Sequence, residues 1–208
     1  MKRLIPIISA FLFIVAMSIA FYVNTTAFSS ADSIGIVLSI IFDIVVILFA
    51  SLSIVELTKR DDKGRGMAFF CFIFLAMEVS GLINYIYNVS SVISQIPPGY
   101  SLDPSASFTI GYNIALYIEI IPFFIVGAAV SGKVEILRKI MMTLGIASVS
   151  LVEFISYMNT TTSLVELPPA FTVMELFIAF ALIFAMIGTW TVSYKKKSGI
   201  IEGPLNRF

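Results

Sequence analysis

A chain of 208 residues with 59% hydrophobic side chains, 12% charged ones and a mean hydropathy of +1.01 is too apolar for a soluble domain, where about a quarter of residues are charged. Charge is balanced at 13 Lys+Arg against 13 Asp+Glu, histidine is absent and Cys71 is the one cysteine. This inventory excludes an internal disulfide, a histidine-based triad and the usual haem and metal ligands; no catalytic residue, cofactor or metal is expected, and nucleic acid is not an expected partner.

A helix needs about 20 apolar residues to cross the hydrocarbon of a bilayer. Six stretches supply them: 4–23, 34–57, 67–89, 108–130, 140–158 and 171–192. The predicted architecture is therefore all-α, one transmembrane domain over 1–208, with six helices arranged as three hairpins in a lipid bilayer. The first stretch follows Met1-Lys2-Arg3, and Ser18-Ile19-Ala20 has the small residues of a signal cleavage site. The apolar run continues through Val23, however, so an uncleaved first helix is expected.

Basic residues fall in four places: Lys2-Arg3, Lys59 to Arg65, Lys133 to Lys139, and Lys195 to Arg207. In a six-span chain these are the two termini and the even-numbered loops, all on one side. The positive-inside rule then expects both termini in the cytoplasm of a cell (plasma) membrane protein. Three Asn-x-Ser/Thr sequons, at Asn24, Asn88 and Asn159, begin the opposite loops and are candidate N-glycosylation sites. Helix-end capping and turn formation account equally well for Asn and Thr there. The composition is compatible with an archaeal membrane.

Five acids lie within the apolar stretches: Asp43, Glu78, Glu119, Glu153 and Glu175. A charge near mid-membrane costs roughly 2.5–3.5 kcal/mol on insertion scales, so such a group faces a partner or a wet cavity. No Lys or Arg falls in the six stretches to neutralise them. Helical spacing gives companions: Gly35, Ser39 and Asp43; Glu78, Gly81, Tyr85 and Asn88; Tyr112, Glu119 and Pro122; Thr143, Ala147, Ser150, Glu153 and Tyr157. All five acids are expected to face inward, with Leu, Ile and Phe toward lipid.

Glu119 and Pro122 stand near the centre of the fourth stretch. Proline has no N–H, so the carbonyl of Ile118 is expected to lose its helical donor and the helix to break beside an acid. Asp43, Glu119 and Glu175 recur once per even-numbered helix, a faint repeat of the kind found in transporters.

Two functions follow as expectations. One is a non-catalytic subunit of a larger membrane complex, such as an energy-converting one, using its acids for docking on other subunits or on a second copy, or for proton handling. The other is a small proton- or cation-coupled transporter or channel centred on Glu119 and Pro122.

Overall fold

A computed structural model describes residues 3–27, 33–59, 63–97, 100–162 and 169–192, and the side chains of 155–162 lie outside that description. Six helices appear: α1 (Leu4–Ala27), α2 (Ser33–Thr58), α3 (Lys63–Ser94), α4 (Pro104–Ala129), α5 (Glu135–Thr162) and α6 (Pro169–Thr191). Each of the expected apolar stretches lies within or almost within one helix, and most helices run further because polar end turns add to the apolar run. Among the described residues, five helices are long and apolar enough to cross a membrane. The sixth, α5, carries Glu135, Arg138 and Lys139 in its first turns and Glu153 in its second half, and the side chains of its last turns lie outside the described residues.

Every helix packs on its neighbours in the chain, and α6 returns to pack extensively on α1, so the six close into a ring. Close approach at that closure needs Gly188, because a Cβ there would lie 3.1 Å from the ring of Pro6. The buried Ser9 Oγ also donates to the carbonyl of Ala181 at 2.7 Å. At the same end of the bundle Ser53 Oγ donates to the carbonyl of Gly66, and Arg3 Nη1 to that of Lys59. We call this end, where α1 starts and α6 finishes, proximal.

The proximal half is packed solid. Phe13, Phe70, Phe74 and Phe124 are fully buried, and Phe74 meets Phe13 edge-on at 5.3 Å and stacks on Phe124 at 5.1 Å. Aromatic pairs at such spacings add to the energy of burial. Gly145 of α5 makes room for this cluster, since a Cβ there would stand 2.7 Å from Cζ of Phe124. Cys71 is buried beside it and has the character of a small apolar residue.

Arg138 lies outside the expected 140–158 stretch and still belongs to the core. It lies within α5 and is fully buried. Its Nη2 donates to the carbonyls of Val192 at 2.9 Å and Thr189 at 3.4 Å. The last carbonyls of a helix have no donor of their own and carry partial negative charge, so a guanidinium there closes α6. Nearby Trp190 Nε1 donates to Thr143 Oγ1 at 2.9 Å, and Lys139 Nζ sits 5.7 Å from the Trp190 ring centroid. Replacing Arg138 with Met lowers the thermal unfolding midpoint of the detergent-solubilised protein, at about 1.5–3 kcal/mol for each charge-assisted bond lost. Arg138→Lys falls between Met and the native residue, because an ammonium keeps the charge but not the fork.

Candidate functional site: an acid-lined cavity

The distal half of the ring is hollow. A cavity of about 380 Å³ lies there, within the size range of small-molecule sites. Its wall takes Met17 and Asn24 from the later part of α1, Ser39 and Asp43 from the earlier part of α2, and Met77, Ser80 and Asn84 from α3. Glu153 of α5 and Met174 and Glu175 of α6 complete it. Three carboxylates thus come to one space from α2, α5 and α6.

Asp43 is buried and accepts a hydrogen bond from Asn24 Nδ2 at 2.9 Å. Ser39, one turn earlier, accepts from Asn84 Nδ2 at 3.3 Å and donates to the carbonyl of Gly35 at 3.0 Å. This last bond is the back-bonding by which a helical serine satisfies itself in apolar surroundings. Asp43 is therefore the acid with a dedicated partner.

Glu78, at the middle of α3, is 3% exposed, and its Oε2 has no hydrogen-bond partner among the described residues. Met77, Ser80 and Gly81 of the same stretch line the cavity, so Glu78 stands just behind its wall. It is within electrostatic reach of Glu153, which is in reach of Glu175 in turn. Tyr117 of α4 borders the same group, and Tyr85 accepts from Asn113 Nδ2 at 3.0 Å with its ring 6.3 Å from that of Tyr117. Like charges gathered without a cation are costly in low dielectric, and a roomy polar cavity relieves that cost by admitting water or a cationic ligand.

The fourth helix corrects the expectation built on it. Helix α4 runs unbroken through Pro122, so proline removes one donor without ending the helix. Glu119 and Pro122 are both exposed on the outside of the ring with Tyr112, and α4 lends nothing to the cavity wall. They do share a side, as the spacing predicted; that side faces away. The even-helix repeat is likewise not kept, since Asp43 and Glu175 line the cavity and Glu119 does not.

Of the sequon asparagines, Asn24 is half-buried in the cavity wall and hydrogen-bonded to Asp43, which gives it a role other than glycan acceptor. Asn88 is exposed on α3, and the side chain of Asn159 lies outside the described residues. The expected stripe on α2 holds, with Gly35 against Tyr87. On α5, Ser150 and Glu153 share a groove, Ala147 is exposed and the side chain of Tyr157 lies outside the described residues. Asn84 is a contributor that the companion sets omit. Its place one turn after Ser80, facing Ser39 across α2 and α3, is the signal that marks it.

The ring and its cavity define a class, that of polytopic helical proteins with an acid-lined chamber in one half of the bundle. Compared with protein-family models, curated proteins and solved structures, the chain matches none of them.

The bond from Asn24 to Asp43 yields a double-mutant prediction. Asn24→Leu alone leaves a buried carboxylate unsatisfied and costs about 1–3 kcal/mol of stability, whereas Asn24→Leu with Asp43→Leu recovers much of it because both polar partners are gone. Thermal unfolding of the two single variants, the double variant and the native protein in one detergent measures the coupling; simple additivity would remove the bond from the account.

Proposed function

We propose that this chain is a small membrane carrier or channel that takes up protons or cations through the distal cavity, with Asp43, Glu153 and Glu175 as the charged lining and Glu78 behind them. The observation that carries this reading is the meeting of three carboxylates from three helices in one cavity with no basic residue in its lining among the described residues. The distribution of Lys and Arg along the sequence supports both termini in the cytoplasm, and hence three hairpins with the cavity open to the outer side of a cell membrane. The Phe13–Phe74–Phe124 cluster lies beyond the cavity as a plug, which favours a carrier that alternates over a permanently open pore. In liposomes holding the purified protein, Glu153→Gln and Glu175→Gln abolish proton- or cation-dependent flux while the folded yield stays normal. Glu119→Gln leaves flux unchanged, because Glu119 is on the other side of its helix. Flux that depends on Glu119 and ignores Glu153 and Glu175 reverses the assignment.

A second reading, that the chain is a non-catalytic subunit of a larger membrane complex, is favoured by the outer face of α4. Gly111, Ala115, Glu119 and Pro122 are all exposed there, and among the described residues nothing stands within 4 Å of where a Cβ on Gly111 would be. Small residues let helix backbones approach closely in a membrane, and a carboxylate facing lipid is expensive. On this reading a helix of another subunit covers that stripe. Gentle extraction of the tagged protein followed by mass spectrometry recovers partner chains at fixed stoichiometry, and Ala115→Phe with Glu119→Leu loses them. Recovery of the native protein alone rules the second reading out.

A further inference from the structure

The cavity continues sideways. A groove of about 700 Å³ runs along the seam between α5 and α6. Its walls are Phe154, Leu176, Leu182, Ile183, Met186 and Ile187, with Ser150 and Thr172 as neutral polar members. Phe154, Leu176, Ile183 and Ile187 are each about half exposed or more, so this groove opens on the outside of the ring where lipid chains lie. Glu153, Glu175 and Ile178 belong to both the groove and the cavity. The two carboxylates therefore stand at the junction of an apolar slot and a polar chamber.

We propose that this junction binds an amphiphilic organic cation that enters from the bilayer between α5 and α6. Its charged head rests between Glu153 and Glu175, and its apolar body fills the α5–α6 groove. The proposal rests on the cation reading of the cavity and adds the class of cation and its route. Each part of the site selects against another class of occupant. A small hydrated ion gains nothing from the slot of Leu, Ile, Met and Phe side chains. A neutral lipid chain gains nothing from two carboxylates, and an anion is repelled by them. Among the described residues no group of three His, Cys, Asp or Glu side chains could hold a metal ion, so the acids act as spaced charges. Glu78, whose buried Oε2 has no hydrogen-bond partner among the described residues, stands just behind the cavity wall and adds a further acid to this side of the chamber.

The test uses the full chain in lipid nanodiscs and three probes of known charge and shape. Tetraphenylphosphonium is a bulky apolar cation, tetraphenylborate is its anionic counterpart of similar shape, and tetramethylammonium is a compact cation. Equilibrium binding is expected to be saturable for the phosphonium and absent for the borate. Glu153→Gln and Glu175→Gln weaken phosphonium binding by roughly thirtyfold or more, the usual effect of removing one partner of a desolvated charge pair. Ala179→Phe, at an exposed groove position that can take a larger side chain, weakens phosphonium binding by roughly tenfold or more through lost space and leaves tetramethylammonium binding as it was. Phosphonium binding that survives Ala179→Phe and both Gln variants, or equal binding of the borate, overturns the proposal. If tetramethylammonium binds through Glu153 and Glu175 while the phosphonium does not, the lateral route fails and the cation cavity stands. If neither cation binds, both fail.

Discussion

The constraint on which this architecture depends is the presence of carboxylates inside apolar helices with no basic side chain beside them. In hydrocarbon each such group needs a hydrogen-bond donor, a cation or water. The buried cation of the bundle, Arg138, is turned toward the terminal carbonyls of α6 and so serves the backbone. What remains is to gather the acids around a space, and Asp43, Glu153 and Glu175 are so gathered. The division of the ring into a packed proximal half and a hollow distal half follows, because the aromatic cluster at Phe74 fills the first and the carboxylates keep the second open.

The acids in that space are of two kinds. Asp43 has Asn24 and belongs to a local network that also fixes α1 against α2; a satisfied buried polar pair of this sort specifies how helices meet. Glu78, Glu153 and Glu175 come from three different helices, and Glu78 keeps a buried oxygen without a partner among the described residues. An unsatisfied buried group persists where something other than packing keeps it. The first kind builds the chamber and the second gives it a chemistry.

Much of this was legible in the sequence. Apolar runs separated by charged or turn-rich segments marked the six helices, because the bilayer fixes the length an apolar helix must have. Most boundaries that moved did so outward, and the shift at α5 brought Arg138 from a supposed loop into the core. Facing was far less legible. Helix α4 is apolar on nearly every side, so periodicity could not say which way Glu119 points, and a proline beside a central acid suggested a break where the helix in fact continues. Helix α2 was read correctly because Gly35, Ser39 and Asp43 differ so plainly from the Ile and Val around them. The meeting of Glu153 with Glu175 depends on how α5 and α6 are rotated against each other, which no spacing within a single helix records.

Ring closure between the first and last helices has a consequence for biosynthesis. Ser9 and Pro6 on α1 find their partners, Ala181 and Gly188, only when α6 has been made. Until then α1 must wait in the translocon or the lipid with the Ser9 hydroxyl and the Pro6 ring uncovered, while α2 to α5 are added beside it. The chamber accordingly comes into being late, on docking of the final helix, and a ribosome that stalls before α6 leaves an open arc of helices that lacks the chamber wall carrying Glu175. Such an arc is the form that membrane quality control would meet, and its uncovered α1 face at Pro6 and Ser9 is the feature by which an unfinished chain differs from a finished one.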